Sequence, residues 1–237
     1  LRSYLGDEAF KAGVNLYLED NKYGTGEAHQ LRLAMEEVSG KDLNWFFNQW
    51  YFSNGHPKLE VKYVYSEEAK IVTVQIDQTQ ENFFQFPLAI EVYEGEKTKR
   101  YEVWVDEKSK SFSFQYNKKP DLVNVDADRT LLAEISDNKT IENLVHLYKN
   151  GPKYEDRREA IEGLSAHQDN ETAFKTMTAA LSDPFFKLRI LAIDKIDISN
   201  ANAKTPIKII EGIALNDDKT LVRAKALTKL IPLENPD

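Results

Sequence analysis

The spacing of apolar residues changes period twice along the chain. Over residues 1–52 it is helical: Phe10, Val14, Tyr17 and Leu18 form one stripe, and Leu31, Met35 and Val38 another. Gly40 follows the second stripe where a C-terminal glycine cap belongs. Asp42 stands where an N-cap would open a third helix, which carries Trp45, Phe46, Gln49 and Trp50. From Lys58 to Asp126 the period shortens to two. Leu59, Val61, Tyr63 and Tyr65 alternate with mostly polar neighbours, as do Val72, Val74 and Ile76. Phe84, Phe86, Leu88, Ile90 and Val92 follow, then Tyr101, Val103 and Val105, then Phe112, Phe114 and Tyr116. Polar breaks at 66–70, 94–97 and 106–110 predict short turns, hence antiparallel hairpins in a small sandwich. One face of each strand is apolar, so the sheets must cover one another or a neighbouring domain. Pro87 predicts an edge strand or a bulge.

Residues 127–237 return to the helical period, and here an octet recurs. Arg157, Ala160, Ile161 and Leu164 read R-x-x-A-I-x-x-L; Arg189, Ala192, Ile193 and Ile196 repeat it 32 residues later, and Arg223, Ala226, Leu227 and Leu230 after 34 more. An amphipathic stretch precedes each octet, at roughly 139–150, 170–182 and 205–215. Asp183-Pro184 and Thr205-Pro206 place an N-cap residue before a proline at the first helical position. Three stacked helix pairs are expected, an α-solenoid of HEAT-like type, with the three arginines at equivalent places. Pro232 and Pro236 are expected to stop the last helix.

The predicted fold is therefore multidomain α+β: a helical segment at 1–57, a β-sandwich at 58–126 and a HEAT-like helical repeat domain at 127–237. With 237 residues and 41% hydrophobic content the core can be sizeable, so no staples are required. There is no cysteine, which removes disulfides, thiolate zinc ligands and a cysteine nucleophile. The net charge of -8 is spread evenly over the three segments, so the basic footprint of a nucleic-acid binder is missing. No apolar run approaches the ~20 residues of a membrane span. The first residue is Leu1, inside an expected helix, so a piece of a longer protein is expected and no compartment is assigned.

Chemistry-bearing residues are sparse. His29, His56, His146 and His167 lack a second histidine at zinc-motif spacing, so each reads as a surface, capping or linker residue. Gly24-Thr25-Gly26 lacks the context of a phosphate cradle. Glu36-Glu37 and Glu67-Glu68 are adjacent pairs, which do not face each other on a helix and read as solvated surface. Ser111 and Ser113 have no base partner in a known motif. Asn138-Lys139-Thr140 and Asn170-Glu171-Thr172 fit the glycosylation sequon, a frequent tripeptide. The run FFNQWYFSNGHP at 46–57 offers Trp45, Trp50 and Tyr51 as a stacking platform or an interdomain plug; the plug is favoured, since clustered rings bury large areas. Carbohydrate binding by the sandwich would need an exposed strip of Tyr101, Trp104 and Tyr116.

Leu5-Gly6-Asp7 with Phe10 and Tyr17-Leu18, then Glu37-Val38-Ser39-Gly40 with Asp42-Leu43, then Phe46-Phe47, Gln49-Trp50 and Gly55-His56-Pro57 follow one another in an order that resembles aminopeptidase N-type zinc peptidases of the gluzincin class. The match lies where the thermolysin-like catalytic domain of those enzymes ends. Gln78-Thr79-Gln80 and Phe86-Pro87-Leu88 resemble the β-domain that follows it, and the helical remainder matches in architecture. The resemblance implies the C-terminal portion of a zinc-dependent aminopeptidase that removes N-terminal residues from peptides. In that family the G-x-M-E-N and H-E-x-x-H motifs, the third zinc ligand and the oxyanion-stabilising tyrosine lie upstream, and Tyr4 and Tyr17 do not match that tyrosine's motif. No catalytic, cofactor-binding or metal residue is therefore expected here, and the chain alone is expected to be inactive. Zinc is expected in the full-length protein. The implied partners are the upstream catalytic domain of the same polypeptide and, in the intact enzyme, the peptide substrate. The runner-up is a non-catalytic peptide- or protein-binding module.

Overall fold

The computed structural model describes residues 1–95 and 97–234, so the stop expected at Pro236 lies outside the described residues. Two compact units divide the chain. The first comprises Leu1–Glu91, Arg100–Gln115 and Asn124–Asp137; the second comprises Val92–Lys99, Tyr116–Val123 and Asn138–Asp237.

The first unit opens with helices α1 (Arg2–Leu5), α2 (Asp7–Asp20), α3 (Ala28–Ser39) and α4 (Asn44–Trp50). Their core is Met35, Leu43 and Phe47, with Phe10, Val14 and Leu31 packed against it. Gly13 lets α2 and α3 approach closely: a Cβ there would lie 2.5 Å from Met35 Sδ and 3.2 Å from its Cα. Gly40 caps α3 in the left-handed conformation (φ 65°), as its position after the stripe predicts. Asp42 is displaced from the expected cap. The helix begins at Asn44, and Asp42 Oδ1 accepts from the Asn44 N–H at 3.0 Å, an Asx turn one residue ahead of the N-cap Leu43. Glu36 is not a solvated carboxylate either. It accepts from Leu43 N at 2.8 Å and Arg32 Nη1 at 2.6 Å, tying the α3–α4 turn to its own helix.

Strands β1 (Lys58–Ser66), β2 (Ile71–Gln78), β5 (Ser109–Gln115) and β7 (Glu134–Asp137) form a four-stranded sheet in the order β5-β2-β1-β7. Strands β3 (Phe86–Glu94), β4 (Lys97–Val105) and β6 (Leu122–Val125) form a second sheet in the order β4-β3-β6. The alternation predicts the β1–β2 hairpin correctly: Val61 faces Ile76 and Tyr63 faces Val74 in antiparallel register, and all four are buried. Two short strands were not legible. In β6 all four residues are buried, so there is no alternation to read. In β7 only Ile135 is apolar, and its pairing with β1 is parallel, against the expectation of purely antiparallel hairpins. The reason is local: Glu134 N donates to Pro57 O at 3.0 Å, which brings β7 alongside β1 in the same direction. Pro87 sits in the middle strand of three rather than at an edge. It is the second residue of β3 and exposed, near the strand start where its missing donor is tolerated.

The helices of the second unit are α5 (Ile141–Asn150), α6 (Tyr154–Leu164), α7 (Glu171–Ala180), α8 (Phe186–Lys195), α9 (Lys204–Asn216) and α10 (Thr220–Glu234). Leu164, Met177, Leu188, Ile193, Ile210 and Val222 share one buried core. The three octets begin alike, because Arg157, Arg189 and Arg223 are each the fourth residue of their helix. The two expected proline caps shift. α8 starts after Phe185, and the Asp183 carboxylate instead accepts from Phe185 N, Arg157 Nε and Tyr148 Oη at 2.8, 3.0 and 3.2 Å. α9 starts after Ala203, leaving Pro206 within the first turn, where no N–H is needed. Pro232 lies inside α10 rather than ending it.

A polar ladder runs along these pairs. Arg157 binds the Asp183 carboxylate. Arg189 binds the Asp183 carbonyl at 3.0 Å and grips the Asp217 carboxylate with two bonds of 2.8 and 2.9 Å. Arg223 binds the Asp217 carbonyl at 2.6 Å. Asp183 and Asp217 are nearly covered, at 1% and 7% side-chain exposure, so each needs its arginine. Arg189→Gln should therefore destabilise the second unit by about 3 kcal/mol, because it strands a buried carboxylate. Arg223→Gln, which breaks no ion pair among the described residues, should cost under about 1 kcal/mol. Urea melts of the two variants check this. In the first unit, Gly13→Ala should cost about 1–3 kcal/mol by overpacking against Met35, on the same assay.

Candidate functional site: an aromatic cleft

The run at 46–52 does what clustered rings do, and it forms a hollow while doing so. Trp45 meets Tyr4 edge-on at 5.3 Å and Trp104 at 5.2 Å. Trp50 packs on Phe84 at 5.0 Å. Both tryptophans are half-buried against rings of the first unit's β-segment, whereas Tyr51 and Phe52 are exposed. Trp45 and Trp50 thus pack as filler within one compact unit rather than as a plug between two, and Tyr51 and Phe52, past the end of α4, do not. Between the rings lies a cleft of about 310 Å³, lined by Tyr4, Trp45, Phe46, Trp50, Phe86, Pro87 and Leu131, with Leu1, Ser3, Thr130 and Leu132.

Polar clasps hold the walls. Gln49, from α4, exchanges two hydrogen bonds with the backbone of Gln85, at 2.6 and 2.9 Å. Gln78 is almost fully buried and does the same to Phe84, at 2.7 and 2.8 Å. The segment between β2 and β3, which carries Phe84 to Trp50, is pinned by two side-chain amides. The opposite wall is held by Asp126. This residue adopts a left-handed backbone (φ 52°), and its carboxylate accepts from the N–H groups of Thr130 and Leu131 at 3.2–3.4 Å. Burial pushes its carboxyl up to about 6 despite those two donors. Arg100 steadies the same turn through Asp128, at 3.0 and 2.5 Å.

The cleft can bind an apolar group or ring through contact. Its walls include three hydroxyl-bearing residues, Ser3, Tyr4 and Thr130, and no acid–base pair. Among the described residues no three His, Cys, Asp or Glu side chains lie together as a metal site. The histidines are scattered to separate tasks. His29 stacks on Phe52, His56 pairs with Glu134 at 2.7 Å beside Lys58, and His146 packs edge-on to Tyr93 with its Nε2 buried and unpartnered. His167 closes a short turn, its carbonyl accepting from Asn170 N. These residues do not fit a zinc site. Gly26 is held against Tyr17, whose Oη lies 2.2 Å from where a Cβ would stand, so this glycine serves packing. Ser113 bonds Thr73 across the strands. Asn170 caps α7 with its side chain. The aromatic strip that carbohydrate binding would need is absent: Tyr116 is buried, Tyr101 stacks on Phe114, and Trp104 packs on Trp45. Sequence reasoning missed Asp126, Gln78 and Gln49 as wall-holders. Gln78 and Gln49 stood in the motifs that carried the resemblance, but nothing in their spacing announced a clasp.

Two family models match. Residues 1–50 match the peptidase family M1 domain, and residues 54–142 match the TAF2 Ig-like domain. Aminopeptidase N of Escherichia coli is 32% identical over 104 residues, 40% of this chain and 12% of that protein. Aminopeptidase N of Lactococcus lactis subsp. cremoris is 41% identical over 64 residues, 27% of this chain and 8% of that protein. The matched stretches thus span about a tenth of the curated relatives' length. The crystal structure of Legionella pneumophila aminopeptidase A in complex with aspartic acid aligns with all of this chain and 30% of its own at a TM-score of 0.68, with 17% identity, a likeness of fold.

The Asp126 carboxyl sits above its unfolded value, so the native state holds a proton that the unfolded chain gives up. Stability from this group is fully present below about pH 4 and is lost as pH rises through about 6. Asp126→Asn, which keeps one acceptor, should flatten the slope of stability against pH between 4 and 6, measured by urea titration at each pH.

Proposed function

From the premise that this chain is a portion of an aminopeptidase N-type protein, we propose that it is the accessory region of a zinc-dependent aminopeptidase that removes N-terminal residues from peptides. One observation carries the reading. A stretch matching the M1 peptidase domain runs straight into one matching an Ig-like domain, and helix pairs follow in the same chain. On this reading residues 1–57 close the catalytic domain, the two sheets at 58–126 are a small sandwich acting as spacer, and 127–237 form a HEAT-like array. The equivalent arginines of α6, α8 and α10 support the last assignment, since a repeated packing unit repeats its polar contacts. The array would cover the catalytic cleft and restrict access by peptide length, a role suited to the curved surface of stacked pairs. Its partners are the catalytic domain of the same polypeptide and the peptide substrate.

Zinc and the water-activating carboxylate belong, on this reading, to the part of the protein outside this chain. The residues present close and frame the site. In the full-length protein the Gln49 and Gln78 clasps would keep the aromatic cleft rigid where the catalytic domain ends. Among the described residues no helix is long and apolar enough to cross a membrane.

The test sets the full-length gene product beside residues 1–237. The full-length protein should contain zinc and release N-terminal residues, with kcat/KM falling as peptides lengthen, and the shorter chain should do neither. A full-length product without zinc or activity would overturn the enzyme reading in favour of a peptide- or protein-binding module. A rate independent of peptide length would overturn the role in access.

A further inference from the structure

The sequence contains two Asn-Gly dipeptides, Asn54-Gly55 and Asn150-Gly151. Both asparagines are exposed, yet the fold treats them in opposite ways. Asn150 is the last residue of α5. Its Nδ2 donates to His146 O at 3.1 Å, and the Gly151 N–H donates to Leu147 O at 2.8 Å. Gly151 is buried, and a Cβ there would stand 2.5 Å from both Leu147 O and Asp156 Cβ. The side-chain amide and the main-chain nitrogen that follows it are thus both held by the helix end.

Asn54 and Gly55 lie between two anchors without belonging to either. On one side Tyr51 N and Phe52 N both donate to Phe47 O. On the other, His56 pairs with Glu134, Pro57 O accepts from Glu134 N, and Lys58 N donates to Gln80 Oε1. Ser53, Asn54 and Gly55 span the gap. All three are exposed, and among the described residues none of them makes a hydrogen bond. Gly55 has a left-handed backbone (φ 86°) and open space where a Cβ would stand. An asparagine side chain reaches the backbone N–H groups that follow it. A following glycine, with no Cβ, leaves that nitrogen open to approach.

We propose that Asn54 is a site of spontaneous covalent modification, converted through a succinimide to aspartyl and isoaspartyl products, and that the same dipeptide at Asn150 is protected by its helix. Solvent base takes the proton from the Gly55 N–H. The Gly55 nitrogen bonds to Asn54 Cγ, the Cγ–Nδ2 bond breaks, and Nδ2 leaves as ammonia. Water then opens the ring. Cleavage of the bond from nitrogen to Cγ gives an aspartyl residue, and cleavage of the bond from nitrogen to the main-chain carbonyl carbon gives an isoaspartyl one. One water is consumed, one ammonia is released, and nothing is oxidised or reduced. Either product puts a new carboxylate two residues before His56 and just ahead of β1, at the seam between the stretches that match the two family models. The isoaspartyl form also adds one carbon to the main chain there. The inference rests on the chemistry of this short segment, not on the peptidase reading.

The experiment ages the full-length gene product and residues 1–237 at mildly alkaline pH, with and without urea. The two Asn-Gly peptides are then followed by tandem mass spectrometry for OH in place of NH2 and for isoaspartate. In the folded protein Asn54 should convert at least ~10-fold faster than Asn150, whose two hydrogen bonds must break first. In urea, where neither is held, the two rates should converge. Conversion at Asn54 should speed up as pH rises, because the attacking nitrogen must lose its proton, and the product should elute later on anion exchange. Asn54→Gln should remove the early acidic species and move the Tm by less than ~2 °C. Equal rates at the two sites in the folded protein would overturn the proposal. So would an Asn54 that stays intact when folded and converts only in urea. Conversion in residues 1–237 but not in the full-length product would overturn it for the intact molecule, where the segment would then be covered.

Discussion

A buried polar atom must find a partner, and that constraint arranges more of this protein than any apolar stripe. In the first unit, Gln78 is 2% exposed and spends its amide on both backbone groups of Phe84. Gln49 treats Gln85 likewise. These bonds fix the segment that brings Phe84 under Trp50, so the aromatic cleft is a consequence of amide satisfaction as much as of ring packing. In the second unit, Gln168 plays the same part between pairs: it donates to Ser165 O and Lys195 O and accepts from Asp197 N.

The carboxylates divide by how well they are satisfied. Asp183 takes three donors, one of them cationic, and Asp217 takes the fork of Arg189. Asp126 receives long backbone bonds from two donors and only a weaker pull from Arg129, so burial wins and its proton is retained toward neutral pH. One residue type thus serves as an arginine-bound rung in one place and a buried wall-holder in another, by its donors and its burial.

The ladder also ties successive helix pairs together. Arg189 joins two levels, holding the carbonyl of Asp183 six residues before it and the carboxylate of Asp217 in the following pair, while Arg157 makes the carboxylate contact and Arg223 the carbonyl contact. Burial at the octet's fifth position is nearly complete at Ile161 and Ile193 and is lost at Leu227.

Much was legible in the sequence because it is written in local period. The stripes at Phe10–Leu18 and Leu31–Val38, the β1–β2 alternation, the Gly40 cap and the three arginine octets all depend on residues within a turn or two of one another. The family resemblance through Pro57 was legible for the same reason, since it rests on short ordered motifs. Other features needed the folded chain. The four-residue strands β6 and β7 are too short to show a period, and β7 pairs with β1 some 76 positions away. Asp42 and the aspartate of Asp183-Pro184 missed their expected caps: each accepts from the N–H two residues on, ahead of its helix, and Asp183 also takes Arg157 and Tyr148 from other helices. Glu36, Gln78 and Asp126 look like ordinary surface residues until the backbone groups they satisfy arrive from elsewhere. Sequence by itself determined the longer helices and strands and which residues recur; only tertiary structure decided the short strands β6 and β7 and which polar groups are buried together, because those depend on distance in space rather than along the chain.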